Sequence, residues 1–183
     1  MVPKFPPKRI NNNSPRLWLR GELIQYKKTI KFLGITFDEK LNFKEHILNL
    51  ISRCRKCLNL MKALRGQSWG ANPTILLYTY KVFIRPLLEY GSILFAHCEE
   101  SLLKKIQAIE TEAIKLAFRL PPWTSNHWCY SLVDFDKILN RIKHLGKKFV
   151  DKNQNDSLIK PLIENVKPSL TGNHSPLYKI LNW

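Results

Sequence analysis

The sequence predicts a mainly α-helical fold in which two or three short N-terminal β-strands precede a helical bundle. Two observations carry this prediction. Short apolar runs separated by glycine-containing turns lie before residue 38, and from Asn42 onward apolar residues recur every three or four positions. So few strands do not make a complete sheet, and we therefore expect them to be the edge of a larger one.

The first two strands are predicted as a hairpin. Residues 17–19 and 23–24 are apolar and flank a turn that contains Gly21. The segment 29–37 follows and predicts a third strand. Its apolar side chains fall on both faces, which is typical of a strand covered on both sides.

The first helix is predicted between an Asn42 cap and Gly66. Glu45 lies three residues after Asn42, where it can complete a capping box. A lone helical histidine such as His46 is expected to be a surface or cap residue. One face of the helix forms an apolar stripe that consists of Phe43, Ile47, Leu50, Cys54, Cys57, Met61 and Leu64.

Three further helices are predicted. The segment 74–90 follows an Asn72–Pro73 start signal, and because it is apolar on all sides we expect it to be buried in the centre of the bundle. Pro86 lacks an amide donor and should kink or break this helix. The next helix covers about residues 101–119, and the last covers about residues 134–150.

The chain is strongly basic. Its 183 residues include 30 Lys and Arg against 14 Asp and Glu, which gives a formal charge of +16. Residues 1–66 alone hold 15 basic and 4 acidic residues. A merely soluble basic protein is one explanation, but an excess this large and uneven favours a polyanionic partner, and nucleic acid is the best candidate.

The basic residues of the first helix are the candidate nucleic-acid-binding site. After Glu45 no acidic residue occurs until Glu89, which favours a phosphate-contacting surface over an ordinary solvated helix face. Trp69, Trp123 and Trp128 in loops could stack on bases or sugars, and anchoring in the core explains them equally well. The basic candidates are Lys44, Arg53, Arg55, Lys56 and Lys62.

The cysteines and carboxylates do not form a metal or catalytic motif. Cys54 and Cys57 have the spacing of a zinc half-site, but no second pair repeats it, and both lie on the apolar stripe. The acidic pairs at 38–39, 99–100 and 134–136 are each explained by the start of a helix. The sequence therefore predicts neither a metal ligand nor a catalytic residue in this chain.

Compartment signals are few. No segment approaches the roughly 20 apolar residues of a membrane helix, and the N-terminus lacks the apolar core of a secretion signal. We therefore expect an intracellular protein, nuclear or cytoplasmic, without a membrane partner. The oligomeric state is open.

An ordered series of short motifs lies within residues 17–130. It comprises Ile30-Lys31-Phe32-Leu33-Gly34-Ile35-Thr36-Phe37-Asp38, Lys40-Leu41-Asn42-Phe43, Leu58-Asn59-Leu60-Met61-Lys62-Ala63-Leu64, Ile84-Arg85-Pro86, Leu88-Glu89-Tyr90-Gly91 and Pro121-Pro122-Trp123-Thr124. This series resembles the C-terminal part of the reverse transcriptases of non-LTR retrotransposons, especially jockey-like elements.

The resemblance implies a division of the chain. Residues 17–38 would be the last strands of a polymerase palm, including the hairpin that steadies the primer, and residues 39–130 would be the helical thumb. Leu33 and Gly34 would lie in the primer-grip region, and Asp38 would position the strand-to-helix turn. By composition, residues 1–16 are a disordered basic arm, and residues 131–183 form a C-terminal helix and a polar tail.

The implied function is that of a fragment of an RNA-directed DNA polymerase that grips a template–primer duplex of RNA and DNA. The family's catalytic signature places two aspartates side by side, and this chain has no Asp-Asp dipeptide. We therefore expect the chain to be inactive alone, with no cofactor of its own and with Mg²⁺ belonging to the missing palm. Two alternatives stay open: a host-adopted helical module that binds nucleic acid or protein, and a thumb supplied to another polymerase.

Overall fold

The fold is given by a computed structural model, which describes residues 17–24, 26–66, 70–157 and 159–161. The predicted class is confirmed, because four short strands precede a helical bundle in this part of the chain. The predicted N-terminal arm, the polar tail after residue 161 and Trp69 lie outside the described residues.

The predicted first hairpin is confirmed. Strands β1 (Leu17–Leu19) and β2 (Glu22–Ile24) pair antiparallel, with Trp18 opposite Leu23. The two turn residues, Arg20 and Gly21, have φ values of 51° and 82°. A two-residue turn with positive φ at both positions matches the right-handed twist of the strands, so it closes the hairpin tightly.

The prediction of one strand over residues 29–37 is wrong, because the chain reverses in its middle. Strand β3 (Thr29–Phe32) pairs antiparallel with β4 (Ile35–Asp38) across a turn at Leu33 and Gly34, whose φ values are 46° and 83°. The expected cover on both faces is also wrong for the described residues. Ile35 is buried, whereas Phe32 is 39% and Leu33 72% exposed.

Helix α1 (Lys44–Arg65) starts without the predicted capping box. Phe43 is the N-cap residue in a left-handed conformation, and no side chain caps it. The Asn42 side chain instead accepts the Lys44 amide at 3.1 Å. The Asp38 carboxylate takes over the organising role, because it accepts the backbone N–H of Phe43 at 2.7 Å, of Lys40 at 3.0 Å and of Asn42 at 3.1 Å.

The end of α1 at Gly66 is confirmed, since this glycine has a φ of 58° and its N–H bonds to the Ala63 carbonyl. The buried stripe differs from the predicted one in its last turns. Leu64 is 42% exposed and Cys57 is only half-buried. The buried residues of α1 are His46, Ile47, Leu50, Ile51, Cys54, Leu58 and Met61.

The apolar segment after Asn72 is an irregular helix. It consists of α2 (Pro73–Thr79), a π-helical stretch (Tyr80–Ile84) and α3 (Arg85–Glu89). The start signal is confirmed, because the Asn72 side chain accepts the Ile75 amide at 2.9 Å. The predicted irregularity at Pro86 is also confirmed: with no N–H, this residue cannot donate to the carbonyl four positions earlier, and the widened turn lies directly before it.

The prediction that this segment is buried on all sides is wrong. One face is fully buried and consists of Leu76, Tyr80, Ile84 and Leu88. The other face is open to solvent, and four large side chains there are between 53% and 65% exposed: Ile75, Tyr78, Val82 and Phe83.

Four more helices complete the described bundle: α4 (Ser92–Phe95), α5 (Glu100–Ala117), α6 (Asn126–Ser131) and α7 (Ile138–Asn153). Helix α5 agrees with the prediction to within two residues. Helices α4 and α6 were not predicted, because elements this short contain too few turns to show a period. Helix α7 begins four residues later than expected, and residue 134 belongs to the preceding loop.

The core lies between α1 and α5, which run in the same direction. The Cys98 thiol, before α5, contacts the Asn42 carbonyl before α1, and at the other end Lys62 pairs with Glu112. Strand β4 packs on α1, whereas α6 and α7 pack on α5. Among the described residues, no helix combines the length and the apolar character needed to cross a membrane.

Candidate nucleic-acid interface

All five predicted basic residues of α1 are exposed, but they do not share one line. Arg55 and Lys62 lie 11 and 18 residues after Lys44. Both spacings are close to a whole number of helical turns at 3.6 residues per turn, so these three residues align along the helix. Arg53 is nine residues from Lys44, which is two and a half turns. Arg53 therefore lies on the opposite flank, and Lys56 lies between the two flanks.

Lys62 differs from the other four because its charge is partly compensated. Its ammonium lies 3.2 Å from the Glu112 carboxylate, with both side chains about half exposed. Exposed pairs of this kind are worth no more than about 1 kcal/mol, so a phosphate can displace the carboxylate at small cost. Lys62 is thus the weakest of the five candidates on electrostatic grounds.

The predicted primer-grip residues form the tip of the β3–β4 hairpin. Leu33 and Gly34 are its two turn residues, and the Tyr90 hydroxyl donates a hydrogen bond to the Leu33 carbonyl at 2.6 Å. Gly91 lies against strand β4 so closely that a Cβ there would be 2.4 Å from Ile35 Cδ1. Tyr90 and Gly91 therefore fix the hairpin tip to the helical bundle.

One open cleft of about 450 Å³ brings part of the predicted site together. Leu33, Gly34 and Arg53 all line it, so the hairpin tip and one flank of α1 face the same space. Lys44, Arg55, Lys56 and Lys62 are not part of this cleft. Its remaining lining is mainly apolar and consists of His46, Leu50, Val82, Phe83, Pro86, Leu87 and Tyr90.

His46 was expected to be a surface or cap residue and is instead buried inside the first turn of α1, with 7% exposure. Its Nδ1 accepts the Thr36 backbone N–H at 3.3 Å, which connects α1 to strand β4. Burial, and secondarily the Arg53 guanidinium, lower the pKa of the imidazole, so it is neutral in the folded chain near pH 7. No sequence signal separated this histidine from a surface one.

Cys54, the first cysteine of the pair with zinc-like spacing, lies in the core of the bundle. This side chain is fully buried, and burial raises the pKa of its thiol to about 12. A thiol with that pKa is neither a good ligand nor a nucleophile. Cys57 is half-buried, and both cysteines are free.

The carboxylates of the described residues do not offer a Mg²⁺ site. No three side chains of His, Cys, Asp or Glu come together in this part of the chain. Asp38 is engaged by three backbone N–H groups. Asp134 is exposed and lies 3.6 Å from the Lys81 ammonium. Among the described residues, the carboxylates thus form no three-donor cluster for a metal ion.

A buried carboxylate that the sequence did not reveal is Glu110, which has 0% exposure. It accepts the hydroxyls of Tyr80 at 2.7 Å and Tyr130 at 2.8 Å, the Gln107 amide at 2.8 Å and the Ile138 backbone N–H at 2.7 Å. Burial and the adjacent carboxylate raise the pKa of both tyrosines above the ordinary value. Glu110 thus joins the π-helical stretch, α5, α6 and the start of α7.

Trp123 and Trp128 are not core anchors, and the predicted loop position is wrong for Trp128, which lies in helix α6. Trp123 is 85% exposed and Trp128 is 55% exposed. Of the two explanations left open by the sequence, anchoring in the core does not apply to either residue.

The chain is similar in sequence to polymerases and polyproteins of mobile elements. It is 24% identical over 138 residues to the RNA-directed DNA polymerase from mobile element jockey of Drosophila melanogaster, a match that covers 75% of this chain. It is 26% identical over 129 residues to the retrovirus-related Pol polyprotein from type-1 retrotransposable element R1 of Bradysia coprophila, which covers 61% of this chain.

The predicted resemblance to jockey-like reverse transcriptases is confirmed. A second jockey polymerase, from Drosophila funebris, is 21% identical over 138 residues and agrees with this result. The chain spans only about 15% of the jockey proteins and 13% of the R1 protein. No protein-family model matches it, and no solved structure matches it either.

Proposed function

We propose that this chain is the palm-end and thumb segment of a non-LTR retrotransposon RNA-directed DNA polymerase, and that it holds a template–primer duplex by its backbone. The observation that carries the proposal is the similarity to jockey and R1 polymerases, together with the cleft in which the hairpin tip faces Arg53. The strongly basic composition supports a nucleic-acid partner.

In this proposal α1 and the hairpin tip have different tasks. The exposed cations of α1 contact phosphates, which positions a duplex without reading its sequence. The turn at Leu33 and Gly34 approaches the primer strand with backbone atoms, because Gly34 has no side chain and Tyr90 holds the turn in place. Arg53 lines the same cleft as the tip and supplies a positive charge there.

No catalytic role in polymerisation is proposed for these residues. We propose that the metal-binding aspartates and Mg²⁺ are supplied by another part of the polymerase, and that this chain alone does not extend a primer. An intracellular location, nuclear or cytoplasmic, belongs to the same proposal, because that is where a template–primer duplex would be met.

The salt dependence of duplex binding tests the proposal. If about five phosphates are contacted, log K for a blunt RNA–DNA duplex should fall with log salt with a slope of about −3.5 to −4.5. Fluorescence anisotropy with a labelled duplex between about 50 and 200 mM salt measures this slope. A slope near zero would show that the chain does not neutralise phosphates, which would contradict the proposal.

A pair of matched double variants distinguishes a binding face from general attraction to a basic protein. Arg53→Gln with Lys56→Gln should reduce the magnitude of the slope by about 1.4 to 1.8, because two phosphate contacts are lost. Lys105→Gln with Lys148→Gln removes the same charge from exposed positions of α5 and α7 and should leave the slope nearly unchanged. Equal changes in both double variants would contradict a binding face on α1.

A further inference from the structure

Trp123 occupies an unusually rigid position for an exposed aromatic residue. The Thr124 amide bonds to the Pro121 carbonyl at 3.1 Å, so Pro122 and Trp123 are the two central residues of a β-turn. Pro122 has its φ fixed by its ring, and its carbonyl accepts the Lys115 ammonium at 2.8 Å. The backbone that carries the indole is therefore held by the ring of one proline and by a lysine of α5.

The fold gains little from this indole. Its 85% exposure leaves most of a large apolar ring in water, and no other large hydrophobic side chain among the described residues is as exposed. A tryptophan side chain has only two rotatable bonds, and on a backbone held in a turn it loses little conformational entropy when a ligand covers it. The turn therefore has the properties of a preformed contact point.

The surroundings of the turn are cationic. The Arg119 guanidinium donates to the Arg65 carbonyl at 3.1 Å, which brings the last residue of α1 next to the end of α5. Lys115 lies on the same end of α5 and contacts the turn itself. Among the described residues, none of these three side chains forms an ion pair with a carboxylate. Charge complementarity thus points to an anionic ligand with planar groups.

We propose that Trp123, with Lys115 at its turn and with Arg119 and Arg65 at the adjoining ends of α5 and α1, is a stacking site for unpaired nucleotides of single-stranded nucleic acid. The indole takes the face of a base or a sugar, and the three cations take the adjacent phosphates. This surface is distinct from the hairpin tip and the cleft, and it does not depend on duplex binding by α1. An apolar peptide would leave the three cations without a counter-charge.

The test compares a labelled single-stranded oligothymidine of 12 nucleotides with a blunt 12-base-pair RNA–DNA duplex, using the full 183-residue chain. Stacking on an aromatic side chain is worth roughly 5- to 150-fold in affinity per base. We therefore expect Trp123→Ala to weaken single-strand binding by at least about 5-fold and to leave duplex binding unchanged. Trp123→Phe keeps a ring and should recover most of the lost affinity.

Tyr78→Ala is the matched control, because Tyr78 is 65% exposed on α2 and its removal should affect neither ligand. Equal weakening by Trp123→Ala and Tyr78→Ala would overturn the proposal, and so would equal weakening of duplex and single-strand binding by Trp123→Ala. A change in the sedimentation coefficient of free Trp123→Ala would show that the indole serves contact between copies of the chain, which also overturns it.

These outcomes are separable from those for α1. Loss of single-strand binding on Trp123→Ala, combined with a duplex slope near zero, would support the stacking site and reject the proposed thumb function. A duplex slope of about −3.5 to −4.5, with no effect of Trp123→Ala on single-strand binding, would support the proposed thumb function and reject the stacking site.

Discussion

Replacement of Glu110 tests whether one buried carboxylate connects the helices of the bundle. Alanine at this position leaves four donors without their acceptor in a site that is 0% exposed: two tyrosine hydroxyls, the Gln107 amide and the Ile138 backbone N–H. The hydroxyls can rotate toward other acceptors, whereas the backbone N–H cannot. Buried groups left unsatisfied cost about 1–3 kcal/mol each, so we expect Glu110→Ala to lower the free energy of unfolding by about 3–5 kcal/mol.

Glu110→Gln keeps the shape of the side chain but reduces the number of hydrogen bonds that it can accept. Glutamine keeps one carbonyl oxygen but places an NH₂ group where the carboxylate accepted hydrogen bonds, so an N–H would face the Ile138 N–H or a tyrosine hydroxyl. We expect a loss of about 2 kcal/mol. The control is Glu112→Gln on the same helix, which removes only the half-exposed pair with Lys62 and should cost less than about 1 kcal/mol.

Urea unfolding followed by far-ultraviolet circular dichroism measures all three variants, with the slope on urea concentration checked for constancy. A free energy of unfolding for Glu110→Gln within about 0.5 kcal/mol of the value for Glu112→Gln would refute the reasoning. Water or rearranged hydroxyls could then replace the four hydrogen bonds of Glu110. The contact between the π-helical stretch, α5, α6 and α7 would then be stabilised by apolar packing alone.

Two further predictions concern the junction between strands and helices. Burial and Arg53 lower the pKa of His46 in the folded chain, so the unfolded chain takes up its proton first as the pH falls below about 6.5. Stability is therefore fully present above that pH and declines below it, by at most about 1.4 kcal/mol per pH unit, and His46→Gln should flatten this decline in urea titrations at several pH values. Gly91→Ala combines a φ of +66° with a Cβ only 2.4 Å from Ile35 Cδ1, whereas Gly21→Ala has a φ of +82° and no neighbour within 4 Å. Gly91→Ala should cost at least about 1 kcal/mol more than Gly21→Ala in thermal unfolding, and equal costs would show that Ile35 moves aside freely.

The elements that the sequence predicted correctly are those with a local cause. Gly21 marks the first hairpin, Asn72 caps α2, and Gly66 ends α1 because a residue without a side chain adopts a positive φ at little cost. The Leu33–Gly34 turn was missed although Gly34 carries the same signal. Leucine rarely adopts the left-handed conformation, and its apolar side chain continued the apparent strand pattern.

The parts of the site that could not be predicted depend on distant residues. A glutamate on a helix is normally solvent-exposed, and the groups that make burial of Glu110 acceptable come from Tyr80, Tyr130 and Ile138, between 20 and 30 residues away in sequence. The exposure of Trp123 has a similar origin. An aromatic residue after two prolines has no pattern that separates burial from exposure, and only the packing of the neighbouring helices decides it.

The motif Glu89-Tyr90-Gly91, part of the series that resembles jockey-like polymerases, explains how the hairpin tip and the bundle are coupled. Glu89 holds the guanidinium of Arg85 at 3.0 Å and of Arg141, on α7, at 3.4 Å. The Tyr90 hydroxyl donates a hydrogen bond to the Leu33 carbonyl at the hairpin tip. Gly91 has no side chain, which lets strand β4 pack closely against it. Three consecutive residues thus connect the last helix, the middle of the bundle and the strands. Under the proposed function, a displacement of the thumb helices would move the primer-grip turn with them, because Tyr90 bonds directly to the turn and Gly91 packs on the strand that follows it.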